Sequence, residues 1–336
     1  MDAKVKLAVV GAGGVVGREV LGALLAAGVQ AEQLTLFGSE RSAGEELEYG
    51  EESLAVDPLE EGAFRGQHVV ILATPAEISR KLAAEVQAAG AWAVDVSAAF
   101  RAEEAVPLVL PGVNDTALDA GFKGRIVAVP SSVSTALALI CTPLLPLGLQ
   151  RVHVTALMGA SSAGMAGVRE LEQHTAALLS GRDNEPGRFP HRLALNFIPQ
   201  VGAFVAETGD TEEERSWYGE LLRLWGEKGA GVRVTGTAVQ VPTFFGHGLS
   251  VLLEGRGLNL NTVRAALKGS AALKLLDEPG ERVYPMPMLV TADEAVHVGR
   301  LRGTPGGVQL FASVDNALRG GALAAVQVAE TLGLRR

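Results

Sequence analysis

The N-terminal stretch contains the feature that most constrains the fold, an apolar run followed by a glycine-rich turn and a helical repeat. The run over residues 5–10 predicts a strand that is buried on both faces. Gly11, Gly14 and Gly17 then form a GxxGxxG pattern, and the helical repeat ends at Gly28. Glycines let a backbone approach a pyrophosphate, and a helix N-terminus supplies free N–H groups. The pattern therefore predicts dinucleotide binding, and it leaves open a tight turn that only packs helix against strand.

Strand-like and helix-like segments alternate through the first 130 residues. Four more buried-strand runs follow the first one, "QLTLFG", "HVVILATP", "AWAVDVSAAF" and "RIVAVP". Such alternation predicts a Rossmann-type, doubly wound parallel sheet. We therefore predict an α/β fold whose dinucleotide-binding domain spans residues 1–130. We expect the C-terminal helix, residues 316–334, to return to this domain.

The pattern changes after residue 131. Strands with alternating polarity appear in "VRVTGTAVQVPTFFGHGLSVLLEG", and "HVGRLRGTPGGVQLFASVDN" is typical of a hairpin. A charged helix begins near Thr211, where Thr211 and Glu214 have the spacing of a capping box. Residues 131–315 therefore predict a second α/β domain with a mixed or antiparallel sheet.

Composition excludes several classes of partner. The 336 residues carry a net charge of −9 without a basic tract, which argues against nucleic acid but not against a small anionic ligand. The longest apolar run, residues 135–149, is interrupted by Pro143 and Pro146, so we predict no membrane span. A single cysteine, Cys141, fits a reducing cytoplasm and indicates a buried core thiol. Histidines lack ligand-like spacing with acids or cysteine, so we predict no metal site.

The end of the second strand bears on the choice between NAD and NADP. Ser39, Arg41 and Ser42 are suited to a 2′-phosphate, since arginine pairs with phosphate and hydroxyls donate to it. Glu40 is suited to the 2′-hydroxyl of NAD instead. We favour NADP, and a solvated loop charge remains the alternative interpretation of Arg41.

The stretch "VPSSVSTALAL" predicts a strand end, a small-residue turn and an apolar helix. Helix entrances of this kind often hold a nucleophile, and here Ser131, Ser132 and Ser134 lie at the entrance. All three are also good N-cap residues. The residues alone therefore leave open whether a serine here is catalytic or a helix cap.

Several segments together resemble the aspartate-semialdehyde dehydrogenase family, nearly from end to end. "VVGAGGVVG" is similar to that family's G-A-T-G-x-V-G loop, and "SERSAG" to its A-R-S-A-G loop. "SAAFR", "VPLVLPGVN" and "SVDNALRGGAL" are similar to its S-A-F-R, V-P-L-V-x-P-E-V-N and V-x-D-N-L-x-K-G-A-A segments. The matched segments occur in the family's order, which is more specific than any one of them.

The resemblance implies an activity and a set of site residues. The family makes aspartate semialdehyde from aspartyl-4-phosphate with NADPH, through a cysteine nucleophile and an acid–base histidine. It implies that residues 131–315 form a catalytic and dimerisation domain. It also implies a homodimer or tetramer, of which we favour the homodimer, and a phosphate site at Arg101. The implied NADP-binding positions are Gly11, Gly13, Gly14, Val15, Val16, Gly17, Ser39, Arg41, Ser42, Ser161 and Asn316.

This chain differs from the family at three of the four core catalytic positions. Ser132 stands at the position of the cysteine, Met158 at that of a glutamine, and Gln240 at that of the carboxylate-binding arginine. His247 matches the histidine, whereas Glu212 and Arg215 fall near a substrate-binding glutamate and lysine. The pattern resembles the USG proteins, a branch of the family without the cysteine. Structural alternatives remain, namely a cap or vestigial role for Ser132, packing for Met158 and a core or loop role for His247.

Three functional hypotheses follow. The first is an NADP-binding oxidoreductase-fold protein with altered or weak activity on an aldehyde or acyl phosphate. The second is a non-catalytic protein that binds a nucleotide or anion for regulation or assembly. The third is an aspartate-semialdehyde dehydrogenase that uses serine, which is a poorer nucleophile because its hydroxyl is far less acidic than a thiol.

Overall fold

The computed structural model describes residues 5–118, 124–182 and 185–333. Its contacts divide the chain into two compact units, Met1–Ser131 with Gly320–Arg336, and Ser132–Arg319. Within the described ranges, no helix combines the length and the apolar character that a membrane crossing needs.

Unit one contains a seven-stranded sheet in the order β3-β4-β2-β1-β5-β6-β7. The strands are β1 (Leu7–Val10), β2 (Leu34–Gly38), β3 (Glu46–Tyr49), β4 (Glu52–Pro58), β5 (Val69–Leu72), β6 (Trp92–Asp95) and β7 (Ile126–Ala128). Helices α1 (Val15–Ala26) and α2 (Ala76–Ala88) connect them. All pairs from β4 to β7 are parallel, so the predicted Rossmann-type sheet is confirmed. Every residue of β1 and β5 is buried, as expected for strands covered on both faces.

The antiparallel hairpin of β3 and β4 at the edge of this sheet was absent from the sequence prediction. Its segment, "ELEYGEESLAVDP", is rich in acids, and only Leu47, Tyr49 and Val56 are buried. An edge strand with one wet face needs few apolar residues, so its sequence signal is weak.

Unit two contains a six-stranded sheet in the order β11-β12-β13-β10-β8-β9. The strands are β8 (Leu149–Met158), β9 (Arg233–Gln240), β10 (His247–Gly255), β11 (Leu273–Leu275), β12 (Val296–Thr304) and β13 (Gly307–Val314). The helices of the unit are α3 (Ser132–Cys141), α4 (Gly164–Leu179), α5 (Glu212–Trp225) and α6 (Leu260–Lys268). Two strand pairs are parallel and three are antiparallel, so the predicted mixed sheet and the β12–β13 hairpin are confirmed.

The capping box of α5 is also confirmed. The Glu214 N–H donates to Thr211 Oγ1 at 3.3 Å, and the Thr211 N–H donates to Glu214 Oε2 at 2.7 Å. Two N–H groups that the first helical turn would leave unpaired are thereby satisfied.

The C-terminal helical segment, which we expected over residues 316–334, starts with irregular turns before the α-helix begins. The α-helix, α7, spans Leu323–Gly333 and follows a π-helical turn over Leu318–Ala322. Asp315 Oδ1 accepts hydrogen bonds from the Ala317 and Leu318 N–H groups, both at 2.9 Å. Acceptance from the second and third following N–H groups is the pattern of a helix N-cap, so Asp315 caps the turns that lead into α7. The predicted last residue, 334, lies outside the described residues.

Glu170 on α4 anchors the loop that begins at residue 185. Its carboxylate accepts hydrogen bonds from the backbone N–H groups of Gly187, Arg188 and Phe189. Burial would raise the pKa of the Glu170 carboxyl, but these three donors and the nearby His174 outweigh burial and hold the pKa below its usual value.

We expect Glu170→Gln to lower the free energy of unfolding by about 1–3 kcal/mol, since an amide binds the three donors less strongly than a carboxylate. Because the folded-state pKa is lowered, this stabilisation is present at neutral pH and is lost as the carboxyl is protonated on acidification. Urea unfolding at pH 7 measures the loss. Glu172→Gln, an exposed position on the same helix, is the matched control. An equal effect of both variants would contradict the anchoring role.

Candidate active site

The glycine loop of unit one is shaped by close backbone contacts. Gly11 has φ +83°, and its N–H donates to Phe37 O at 3.0 Å. A Cβ at Gly11 would lie 2.5 Å from Ala73 O, and one at Gly17 would lie 2.1 Å from Gly11 O. Only glycine fits at these two positions. A Cβ at Gly13 would have its nearest neighbour at 3.8 Å, so packing does not require glycine there.

The loop opens onto the start of α1, whose N-cap residue is Gly14. Val15 and Val16 are the first helical residues, and both are half-buried. The predicted nucleotide-binding positions of this segment therefore lie at a helix N-terminus, where backbone N–H groups favour an anion.

The loop after β2 forms a compact turn. The Ser42 N–H and Oγ both donate to Ser39 O, at 2.9 and 3.1 Å, and the two serine Oγ atoms are 3.3 Å apart. Arg41 is exposed at the tip of this turn, and so is Glu40. The turn presents two hydroxyls and a cation, which suits a phosphate group. It also presents the carboxylate of Glu40, which suits the 2′-hydroxyl of NAD instead.

Arg101 is held at the carboxyl edge of the same sheet. Its Nε donates to Val129 O at 3.0 Å, and its Nη2 donates to Val96 O at 2.6 Å. The neighbouring Asp95 is fully buried, and burial raises the pKa of its carboxyl despite hydrogen bonds from Ser79 and Ser97 and the charge of Arg101. Two backbone carbonyls thus orient the guanidinium.

Ser132 is the first residue of α3 in unit two, and it is half-buried. Every later residue of α3 is buried. Cys141 at its end is fully buried, as predicted, and burial raises the pKa of its thiol. A buried thiol is a poor source of thiolate, so Cys141 is not placed to act as a nucleophile.

Three predicted site residues of unit two stand side by side in one row of the sheet. Met158 on β8 is the register partner of Gln240 on β9 and of His247 on β10. All three are buried, with 1–3% of each residue exposed. The sheet register therefore brings together residues that lie 82 and 89 positions apart in the chain (240 − 158 and 247 − 158).

The side chain of Gln240 is engaged on both sides. Its Nε2 donates to Met158 O at 2.7 Å, and its Oε1 accepts from Ser162 Oγ at 3.2 Å. Gln240 also pairs through its backbone with Ile198. A buried amide held in this way braces the strand end, and it carries no charge with which to bind a carboxylate.

His247 is buried and neutral at physiological pH. Burial lowers the pKa of its imidazole to about 4, although a hydrogen bond with the Gly246 backbone and the charge of Asp315 act in the opposite direction. The Gly159 N–H donates to Nδ1 at 3.3 Å, so Nδ1 is the acceptor and the proton of the neutral ring lies on Nε2. At pH 7 this ring is a weak base.

Asn316 and Ser161 are joined by a hydrogen bond. Asn316 Oδ1 accepts from Ser161 Oγ at 2.9 Å and from the Gly246 N–H at 3.0 Å. These two predicted cofactor-binding residues therefore brace the turn that precedes His247. Within the described ranges, the amide nitrogen of Asn316 has no hydrogen-bonding partner, which leaves a donor for a ligand.

Glu212 and Arg215 are exposed in the first turn of α5. No described contact links either side chain with the row of Met158, Gln240 and His247. The helix reaches the strands through Glu214 instead, whose Oε1 accepts from the Ala238 N–H at 2.8 Å.

The sequence prediction missed Gly159, Ser162 and Asp315. Gly159 lies between strand ends, where a Cβ would be 2.8 Å from Gly246 O. Asp315 accepts a hydrogen bond from the Ala292 N–H at 3.0 Å. Its negative charge acts to raise the pKa of the His247 imidazole, against the larger effect of burial. The small-residue run "GASSAG" and the "VDN" segment were the available signals.

Comparison with known proteins shows the family of this chain. Residues 6–120 match the family described as "Semialdehyde dehydrogenase, NAD binding domain", and residues 141–319 match "Semialdehyde dehydrogenase, dimerisation domain". An aspartate-semialdehyde dehydrogenase from Synechocystis is 32% identical, over 99% of this chain and 98% of its own. A USG-1 protein homolog from Pseudomonas aeruginosa is 34% identical over the same shares.

Solved structures agree as well. The crystal structure of aspartate semialdehyde dehydrogenase II from Vibrio cholerae, complexed with ASA, superposes with a TM-score of 0.92. It is 30% identical, and 98% of each chain is covered. The chain therefore belongs to the aspartate-semialdehyde dehydrogenase family of NAD(P)-binding oxidoreductases.

Proposed function

We propose that this protein is an NADP-binding oxidoreductase that acts on an aldehyde or acyl phosphate, with altered or weak activity relative to its family. The observation that carries the proposal is the row of His247, Met158 and Gln240. In this row the position that we match to the family's histidine lies next to an apolar side chain, and beyond it lies an uncharged amide that is already hydrogen-bonded. The fold supports the reaction class, and the row supports a change in efficiency or substrate.

NADP is the proposed cofactor. The glycine loop supplies backbone N–H groups at the start of α1, and the turn of Ser39, Arg41 and Ser42 supplies hydroxyls and a cation. Such a set fits a pyrophosphate and a 2′-phosphate. When bound, NADP would accept a hydride from the substrate carbon. For Arg101 we propose phosphate binding.

Catalysis in unit two would begin at Ser132. The N-terminus of α3 favours negative charge at this hydroxyl, which must lose a proton to attack a carbonyl carbon. His247 is the candidate base, but a pKa of about 4 makes it a weak one at pH 7. Gln240 cannot replace a cation as a partner for a substrate carboxylate. We therefore expect slow turnover of aspartate semialdehyde, the ASA of the Vibrio cholerae structure.

The test is phosphate-dependent NADP reduction with aspartate semialdehyde. We expect wild-type turnover at least about 100-fold below an ordinary enzyme rate of roughly 10 s⁻¹. We expect Ser132→Ala to abolish it and Ser132→Cys to increase it, since a thiolate is the better nucleophile. Undiminished turnover in Ser132→Ala would exclude Ser132 as the nucleophile.

A non-catalytic role in nucleotide or anion binding is the second candidate function. It is favoured by the engaged Gln240 and the low pKa of His247. Fluorescence titration with NADPH and NADH separates the possibilities. Tighter NADPH binding without turnover in any variant would favour this second function, and absence of NADPH binding would remove the cofactor from both.

We also propose a homodimer and a cytoplasmic location. The match of residues 141–319 to a family domain named for dimerisation supports the dimer. A single buried cysteine suits a reducing compartment. Light scattering of the purified protein would show a monomer if the dimer is wrong.

A further inference from the structure

A row of charges lies at the opposite end of the strands that carry the candidate site. Arg151 on β8 is the register partner of Arg233 on β9 and of Glu254 on β10. Each is seven residues along its strand from Met158, Gln240 or His247, a distance of about 23 Å. The charged row is therefore separate from the row of Met158, Gln240 and His247.

This row borders a cleft of about 340 Å³. The cleft is lined by Gln150, Arg151, Arg233, Glu254, Gly255, Arg256 and Gly306. Its volume suits a small solute, and its lining combines three arginines with one glutamate, one glutamine and two glycines.

The positive charge of the cleft is only partly balanced. Arg151 Nη1 is 3.5 Å from Glu254 Oε2. Among the residues that the structure describes, the guanidinium groups of Arg233 and Arg256 have no hydrogen-bonding or ionic partner. Three cations and one anion leave a net charge of +2 in a chain of net charge −9.

Like charges on register partners repel each other, as Arg151 and Arg233 do here. A bound anion would remove this repulsion, and guanidinium groups bind phosphate and carboxylate oxygens in a bidentate manner. We propose that this arginine cleft is a binding site for a small solute that carries two or more negative charges on phosphate or carboxylate groups. The site is independent of the proposed oxidoreductase activity.

Isothermal titration with inorganic pyrophosphate at constant ionic strength tests the proposal. We expect saturable binding to wild type, and Arg233→Gln and Arg256→Gln should each weaken it by about fivefold or more. Glu254→Gln should tighten binding, because it removes the one negative charge and releases Arg151. Arg302→Gln, an exposed arginine of β12 outside the cleft, is the control and should leave affinity unchanged.

Pyrophosphate could also bind at the glycine loop or at Arg101, but substitutions in the cleft would not change its affinity there. Binding that persists unchanged in the cleft variants is therefore assigned to those other sites. The opposite effects of Arg233→Gln and Glu254→Gln do not arise from unfolding, which would weaken binding in both. No binding to wild type, or equal affinities in all four variants, would overturn the proposal. Loss of a dimer in Arg233→Gln without pyrophosphate binding would also overturn it and would assign the cleft to an acidic surface of a second copy.

Discussion

Gly17→Ala is expected to lower the free energy of unfolding by about 3 kcal/mol, the upper range for overpacking a closed site. The new Cβ would lie 2.1 Å from Gly11 O and 2.7 Å from Ala12 Cα. Both are backbone atoms, so no side chain can rotate away. To relieve the clash, the glycine loop and the start of α1 must move apart. We therefore expect the affinity for NADPH to decrease as well as the free energy of unfolding.

Gly22→Ala is the matched control for this substitution. Gly22 is exposed in the same helix, and a Cβ there would meet nothing within 4 Å. It should raise the free energy of unfolding by about 0.5–1 kcal/mol, since alanine is the better helix former. Urea unfolding of both variants at pH 7 measures the opposite signs. A Gly17→Ala protein as stable as wild type would show that the loop is not closely packed.

The second large effect is a loss of stability on acidification, which we expect His247 to cause. In the unfolded chain its pKa is near 6.5, and in the folded chain burial lowers the pKa to about 4. Between these values the unfolded state binds the proton and the folded state does not, so acidification favours unfolding. From pH 7 to pH 4, this residue alone should remove about 3 kcal/mol of stability.

His247→Asn isolates this contribution. Asparagine does not titrate, and its Oδ1 can accept the hydrogen bond from the Gly159 N–H in place of Nδ1. Whatever its effect at pH 7, the variant should lose about 3 kcal/mol less than wild type between pH 7 and pH 4. Urea unfolding at both values gives the difference. Parallel losses in the two proteins would mean that His247 titrates normally when folded.

The predictions that came from the sequence succeeded where the signal was local. The apolar run of β1, the glycines after it and the capping box of α5 each depend on neighbours within a few positions. The edge hairpin of β3 and β4 was not predicted, because few of its residues are buried. The π-helical turn before α7 was not predicted either.

The candidate site was predictable residue by residue but not as an arrangement. The positions of the site residues came from the resemblance of short segments to the aspartate-semialdehyde dehydrogenase family. Membership of that family is confirmed by matches over nearly the whole chain. Their roles stay predictions. No pattern in the sequence indicated that Gln240 would be tied to Met158 O and Ser162.

The sequence by itself determined the α/β fold class, the glycine loop and the family, since these follow from hydrophobic period, glycine spacing and ordered motifs. Only the tertiary structure decided that Met158, Gln240 and His247 share one row and that Arg151, Arg233 and Glu254 share another. The physical reason is strand register, which burial of one whole face of the sheet sets for all strands at once. The same burial removed water from His247 and so lowered the pKa of its imidazole.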